Sequence, residues 1–590
     1  MVAILGFSGL PGALTTKRAY FPDLSSNELN LTQGADTAAA LLVDGRLVAA
    51  AAEERFDGNK HTRAFPAQAI DYCLTAAGIS AADLDYVAHG FDYGPDELFF
   101  VDQSPFYKDY YANALAPQAI RTLAEKHLGV DLSKRFVPVR HHLAHAETAF
   151  APSGFEEALV IVSDGVGERH SASVYVGDHT GLTNIASVSA TNSLGLLYGL
   201  VTMYLGFEFG DGEYKVMGLA PYGDPRVFEK QVAEYCIRLQ PNGGYDTPIL
   251  LQNSTDKDKE TFRAALSEME RLFGPRRRPD EPMSKRHKDI AAALQRATEA
   301  AQFHFVSHFQ KETGMARLCL AGGVALNCVA NGLILRSRRF RDIYVQPASG
   351  DDGAALGAAL NAARQLGKPV QVPAGSSFGP GGDAAHSFKR ARDAGLKLDW
   401  VSYDNDEALL TAVADRLEAG EIIGWFQGRM EFGPRALGYR SILADPRPAN
   451  MQSRINQLIK KREGFRPFAP AVPIERAEEF FEIESADAHM FVNMLFVAYV
   501  RDNYKDALPA TTHIDGSARV QTVDPTINPL FWKLLHAFGQ RSGIPVLLNT
   551  SFNVAGQPIV RTPEMAVQTF FDAELDACVV GRSIATTMAR

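Results

Sequence analysis

The stretch ALVIVSDGVGERHSASVYVGDHTGL (158–182) decides the architecture. An apolar run, Ala158–Val162, leads into the acidic loop Asp164-Gly165; a second run, Ala172–Val176, turns at Gly177–Gly181 into a third strand from Leu182. Short β-branched runs punctuated by Asp and Gly read as a buried strand followed by a hairpin. The same order stands earlier in the chain. Residues 2–8 are apolar, a Gly/Pro/Ser-rich stretch from Ser8 to Gly34 follows, and Ala38–Val43 and Arg46–Ala51 flank Asp44-Gly45, a strong two-residue hairpin signal. Two copies of strand, acidic loop and hairpin point to an internal duplication.

Downstream, a helix from about Asp289 to Glu312 precedes the strand Arg317–Leu320, a tight Gly322-Gly323 turn, a helix through Arg336, the strand Asp342–Val345, the loop Ala348–Gly353 and a helix to Leu366. This is α/β grammar, and with the duplication it is the arrangement of the two-lobed actin-like ATPase class. Residues 367–387 are rich in Gly, Pro and Ser without periodicity, the composition of a linker. Elements resume from Phe388, including a strand over Glu421–Phe426. Domains are therefore expected over 1–366 and 388–590.

The 590 residues carry 59 Lys+Arg against 69 Asp+Glu, a net charge of −10, with 46% hydrophobic residues. This length excludes a single small binding module. The acidic balance without a basic tail argues against a dedicated nucleic-acid binder. No charged n-region opens the chain and no apolar run nears the roughly 18 residues of a membrane span, so a cytoplasmic location is expected. The five cysteines, Cys73, Cys236, Cys319, Cys328 and Cys578, form no C-x-x-C pair and indicate neither a disulfide framework nor a thiolate zinc site.

Several constellations bear chemistry. His141 and His145 stand at i and i+4 at a helix start, a metal-ligand spacing. Asp164 and Asp351 lie at the carboxyl ends of predicted strands, where α/β folds assemble sites. Two His and two Asp suit iron, manganese or zinc; Asp352, Asp211 and Glu213 are alternative ligands. The turn Gly322-Gly323 through Asn327 offers backbone N–H groups to a phosphate or ribose, and Lys215 is a candidate for a phosphate or carbamoyl oxygen. Residues 429–466 hold nine basic residues against three acidic ones, a local +6. A solvated basic face accounts for Arg454 to Arg462 but not for Arg435 and Arg440, which alternate with glycines and apolar residues; arginine favours forked recognition of phosphate or carboxylate. After the strand Val546–Leu548, Asn549, Ser551 and Asn553 either contact a phosphate or carbonyl, or cap the next helix.

The ordered set EERFDGNKH (53–61), HHLAHA (141–146), SDGVGE (163–168), SLGLLYG (193–199), GEYKVMGLAPYG (212–223), GGVALN (322–327), GRMEFGPRALGYRSILADPR (428–447), FRPFAPAV (465–472) and LNTSFN (548–553) resembles the O-carbamoyltransferase family of nodulation protein U and of the cephalosporin and tobramycin carbamoyltransferases. The match runs almost the length of the chain. The resemblance implies an actin-like transfer domain fused to a C-terminal YrdC-like domain. The latter would make carbamoyl-adenylate from carbamoyl phosphate and ATP with magnesium, and the former would pass the carbamoyl group to an acceptor hydroxyl. It further implies His141, His145, Asp164 and Asp351 as ligands of a metal, iron(II) in most relatives. Arg435, Arg466, Asn549 and Ser551, with Lys461 and Asn553, are implied as carbamoyl-phosphate and nucleotide contacts. Lys60 and the turn Gly322, Gly323 to Asn327 would belong to the adenylate pocket of the transfer domain. His142 and His61 are candidate bases. One departure stands out: the family's N-terminal motif reads His-Asp-x-Ser/Ala, whereas this chain has Gly34-Ala35-Asp36-Thr37.

Residues 91–111 contain eight aromatic and five acidic residues. Tyr107 and Tyr110 are candidate contacts for a hydroxylated small-molecule acceptor, glycosylated or macrocyclic; a loop packed by its own aromatics, at a homodimer interface, is the competing reading. Two other functions fit parts of the pattern: threonylcarbamoyl-adenosine synthesis on tRNA, and a nucleotide-binding regulator without turnover.

Overall fold

The computed structural model describes residues 1–382 and 386–588. They form two compact units, Met1–Asp57 with His61–Pro373, and Gly58–Lys60 with Ala374–Arg590.

In the first unit β1 (Ala3–Phe7), β2 (Ala38–Val43), β3 (Arg46–Ala52), β4 (Tyr86–His89) and β5 (Phe136–Pro138) form a sheet in the order β3-β2-β1-β4-β5. β1 to β3 are antiparallel, and β4 and β5 add parallel to β1. Further on lie β6 (Ala158–Gly167), β7 (His170–Asp178), β8 (Gly181–Ser189), a small hairpin of β9 (Arg238–Leu239) and β10 (Tyr245–Asp246), then β11 (Arg317–Ala321) and β12 (Asp342–Val345). The second sheet runs β12-β11-β6-β7-β8, with the same strand directions. Position for position the two sheets share one connectivity, so the duplication read in the sequence is real and the unit has the actin-like architecture.

Two local expectations change. Asp164-Gly165 lies inside β6 rather than in a loop after it: pairing with β7 breaks after Ser163 and resumes at Gly167 opposite His170, which leaves Asp164 on an irregular stretch free to face inward. The Ser8–Gly34 stretch carries helices Ala13–Tyr20 and Ser26–Asn30, the second started by a Ser25/Glu28 capping box.

The helix that follows the fifth strand of each sheet matters most for the site. These are His141–Ser153 and Asp351–Gln365, and they pack directly on one another. A Cβ at Gly357 would sit 1.8 Å from the Ala144 carbonyl oxygen, so only glycine permits this approach. Glu147, buried on the first helix, accepts from Arg364 Nε and Nη2 at 3.0 Å each and from Asn361 on the second.

The second unit contains β13 (Leu398–Ser402), β14 (Ile423–Phe426), β15 (Arg440–Ala444), β16 (Ala469–Pro473), β17 (Ala498–Tyr499), β18 (Ser517–Ala518), β19 (Gln521–Val523), β20 (Leu547–Ser551), β21 (Ala577–Val580) and β22 (Ser583–Thr587). Eight form a mixed sheet ordered β13-β22-β21-β14-β15-β20-β16-β19. Strand alternation sends Trp425 and Phe426 to opposite faces. Trp425 joins Val413, Leu417, Leu534 and Phe538 of helices Asp406–Glu418 and Pro529–Ser542; Phe426 joins Phe388, Val567 and Phe570 of helices Ser387–Asp393 and Pro563–Asp572.

Of the expected linker 367–387, residues 383–385 lie outside the described residues. The rest is held by backbone bonds: Gln371 N donates to Gly45 O at 2.8 Å and Leu47 N to Gln371 O at 3.1 Å. Further along, Arg440 Nη2 donates to Pro380 O at 2.9 Å. These are single contacts with strands β3 and β15, and they leave no periodicity for a sequence to display.

Candidate functional site

His141 and His145 open their helix, Asp164 sits on the irregular part of β6, and Asp351 opens the helix after β12. One ligand atom from each lies within 4.8 Å of every other. The two Nε2 atoms are 3.0 Å apart; His141 Nε2 is 3.3 Å from Asp164 Oδ2 and 3.4 Å from Asp351 Oδ1, and His145 Nε2 is 3.8 Å from Asp351 Oδ1. The spacing read in the sequence thus converges from three separate segments.

The surroundings fix these groups. His141 Nδ1 lies 2.9 Å from the Gly90 carbonyl, which can only accept, so Nδ1 carries the proton and Nε2 turns its lone pair inward. The Phe91 ring stacks on His141 at 4.0 Å and 7°. Glu168 Oε1 accepts from His141 N and Asp92 N, both at 3.0 Å. Gly323 N–H donates to Asp164 Oδ1 at 2.9 Å. Gly322 holds φ +86° with a Cβ position 2.3 Å from Ser163 O, so the glycine turn is required where it clasps Asp164.

Burial opposes charge on His141, but Asp351 and Asp164 outweigh it and hold the imidazolium well above the ordinary histidine value. Burial likewise opposes the two carboxylates, and the histidines nonetheless hold both below the usual range. Burial pushes Glu168 up to about 7 and Asp352 up to about 7, and pushes His142 well below the ordinary value. Two imidazole nitrogens at 3.0 Å need a proton or a cation between them. Ligand atoms around an ion with bonds of about 2.0–2.2 Å sit about 3 Å apart, so these four residues fit a divalent metal, and their N₂O₂ donors suit iron, manganese or zinc.

The alternative ligands do not join this group among the described residues. Asp352 Oδ1 accepts from Gly353 N, Asp211 faces His61, and Glu213 accepts from Gly210 N and Gly212 N. Lys215 lies over the Phe207 ring at 5.5 Å. Asn327 caps helix Cys328–Arg336 and bonds Gln295. Tyr107 and Tyr110 are only 8% and 5% exposed, packed with Phe100 and Phe106, and Tyr107 OH donates to Glu260 at 3.3 Å. The chain's own side chains therefore cover the ring faces that the sequence reading offered to an acceptor.

In the second unit, Lys460 rather than its neighbour Lys461 reaches the polar cluster at the end of β20. Its Nζ, 4% exposed as a residue, donates to Ser551 O at 2.6 Å, Asn553 O at 2.9 Å and Asn553 Oδ1 at 2.8 Å, whereas Lys461 is exposed. Burial, then Arg462, Arg466 and Lys60, push the Lys460 amine well below its ordinary value. Lys60, with Gly58 and Asn59, belongs to this second unit. Asn549 Nδ2 donates to Gln521 Oε1 at 2.7 Å and Ala436 O at 3.2 Å, while its buried Oδ1 has no donor among the described residues. Arg435 is half-buried in the loop before β15. Arg440, singled out with it in the sequence, is scaffold: fully buried, it donates to the carbonyls of Gln427, Gly428, Tyr439 and Pro380 and stacks 3.5 Å over Phe426.

An actin-like fold with a two-His, two-Asp group at its centre defines an α/β class whose members differ widely in chemistry. The sequence narrows it. Residues 31–360 match the carbamoyltransferase N-terminus model and residues 414–587 the carbamoyltransferase C-terminus model. Nodulation protein NolNO of Sinorhizobium fredii is 41% identical over 583 residues, covering 97% of this chain and 81% of that protein. The 3'-hydroxymethylcephem-O-carbamoyltransferase of Streptomyces clavuligerus is 35% identical over 296 residues, 50% of this chain and 53% of that enzyme. Among solved structures, full-length HypF in its phosphate- and nucleotide-bound form aligns over 62% of this chain and 56% of its own at 15% identity and a TM-score of 0.31. The chain belongs to the carbamoyltransferase family, and it is an enzyme that transfers a carbamoyl group.

Proposed function

We propose that the chain is an ATP-dependent O-carbamoyltransferase that works in two half-reactions, the second unit being the YrdC-like domain. There carbamoyl phosphate, ATP and one water give carbamoyl-adenylate, phosphate and pyrophosphate. The first unit then carries the carbamoyl group to a hydroxyl of a natural product, glycosylated or macrocyclic, in the cytoplasm. The observation that supports this most is the pairing of two incomplete charge centres: convergent acceptors around His141 in one unit, and crowded cations around Lys460 in the other.

An anion restores charge to Lys460, and Arg435 and Arg466 are suited to fork onto its oxygens. The orphaned Asn549 Oδ1 fits the carbamoyl NH₂ group, since a buried acceptor left without a donor is costly. In the first unit, His141, His145, Asp164 and Asp351 would hold a divalent metal, with iron(II) the family's usual choice; when bound, it supplies Lewis acidity at the carbamoyl oxygen. Gly323 N–H keeps Asp164 aimed, Phe91 keeps His141 in plane, and the adenylate would lie along the turn Gly322–Asn327. The hydroxymethyl acceptor named for the Streptomyces relative and the chain's net charge of −10 favour a small-molecule acceptor over tRNA. No described helix is long and apolar enough to cross a membrane.

Carbamoyl-phosphate-dependent ATP–pyrophosphate exchange tests the reading. Exchange should appear only with carbamoyl phosphate present, and tRNA should not compete with transfer. Protein that binds ATP without such exchange would refute the first half-reaction.

A further inference from the structure

A second acid–base group lies in the first unit, outside the four-residue set. His61 Nδ1 is 2.8 Å from Asp36 Oδ1, its Nε2 is 3.5 Å from Asp211 Oδ1, and its backbone N–H donates to Glu54 Oε2 at 3.0 Å. Both Asp36 and His61 adopt left-handed backbone, φ +54° and +53°, which non-glycine residues disfavour. Strained residues that meet through their side chains mark places where geometry is held for chemistry. The ring is 33% exposed, and its Nε2 faces the Asp211 carboxylate at 3.5 Å, so a ligand that reaches Nε2 also meets Asp211. The segment is tied to the metal-type group: Gln33 Nε2 donates to Val166 O at 2.6 Å, two residues past Asp164, and the charges of both Asp36 and Asp351 act on Arg63.

We propose that His61 is the general base that takes the proton of the acceptor hydroxyl, with Asp36 as its positioning residue. This rests on the transfer reaction proposed above. The acceptor oxygen bonds to the carbamoyl carbon as its O–H proton passes to His61 Nε2; the bond from that carbon to the adenylate oxygen breaks, and its electron pair leaves with AMP. The Nδ1 proton stays on the ring, shared with Asp36, so Nε2, beside Asp211, is the nitrogen that accepts once the ring is neutral. Ala35 presents no imidazole beside Asp36, and His61 reaches that carboxylate from another segment. A metal bound by Asp36, Glu54 and His61 is the rival use of these groups. It is disfavoured because Asp36 and His61 already bond directly and Glu54 is paired with Arg55 at 3.0 Å.

The charged groups around the ring set the pH dependence. Burial opposes its charge, but Asp36, Asp211 and Glu54 prevail and hold His61 well above the ordinary value. Glu213 adds negative charge within reach; Arg55 sits on Glu54, and Arg63 lies near Asp36. A base must first be neutral, so transfer should rise with pH through this elevated value. Removing the Asp36 charge should move that limb to lower pH.

The test uses the full-length, iron(II)-loaded protein with carbamoyl phosphate, MgATP and glycerol as the alcohol probe. Pyrophosphate exchange reports the donor, and AMP release with carbamoyl-glycerol by mass spectrometry reports transfer to the alcohol or to water. His61→Gln should keep exchange within about twofold and lower AMP release by about 100-fold or more; His61→Asn serves if the first variant does not fold. Asp36→Asn should shift the midpoint of the AMP-release pH profile downward. AMP release at the wild-type rate in folded His61→Gln, or an unmoved midpoint in Asp36→Asn, would overturn the proposal. Absence of carbamoyl-phosphate-dependent exchange in the wild type would instead overturn the underlying reading of function.

Discussion

Around His141 the first unit gathers two imidazole lone pairs and two carboxylates on a point that calls for positive charge. Around Lys460 the second unit does the reverse: among the described residues the buried amine bonds only neutral oxygens, while Arg462, Arg466 and Lys60 repel its proton. Neither group is self-sufficient, and the two deficits have opposite sign. The lesson is that a buried polar group with incomplete compensation predicts the charge of what it binds, before any ligand is identified.

The sharpest way to break this contrast is to cross the variants. His145→Ala should leave pyrophosphate exchange near the wild-type rate and lower carbamoyl transfer by about 10³-fold or more, with metal content falling in parallel. Lys460→Met should do the opposite, losing exchange by about 10²–10³-fold with metal content unchanged, as expected when a preorganised charge facing a phosphate is removed. Loss of the same half-reaction in both variants would dissolve the distinction between the centres.

A smaller effect concerns pH. Glu168 has its folded value raised to about 7 by burial, so its contribution to stability is full below the unfolded carboxylate value near 4.5 and is lost as pH rises toward 7. In metal-free protein Glu168→Gln keeps an acceptor for His141 N and Asp92 N and should remove this decline, worth roughly 3 kcal/mol across that window. Urea unfolding at pH 5 and pH 7.5 measures it; an unchanged difference would show that Glu168 is charged throughout. Smallest is Phe91→Leu. An aromatic stack is worth about 0.5–1.5 kcal/mol, so metal affinity, read by chelator competition, should fall about two- to tenfold while exchange in the second unit stays unchanged.

Much of this was legible in the sequence, for identifiable reasons. The duplicated hairpins are local patterns bounded by Asp-Gly and Gly turns, and the topology repeats them strand for strand. His141 and His145 were legible because one helical turn separates them. Lys460 was not: it stands beside another lysine, and the π-helical turn Ile455–Ile459 inserts an extra residue per turn just before it, so a count at 3.6 residues cannot say which side chain faces inward. The burial of Tyr107 was hidden because its polar partner, Glu260, is 153 positions away. The dyad of His61 with Asp36 joins positions 25 residues apart on separate segments, and no local period in the sequence pairs them.

The two helices that meet at Gly357 and Ala144 occupy equivalent places in the two copies of the fold, each following the fifth strand of its sheet. The first copy contributes imidazoles from its helix start and the second a carboxylate from the same position. Doubling has therefore produced no spare part: each half supplies a donor type the other lacks, so a substitution at either junction should disable the whole centre.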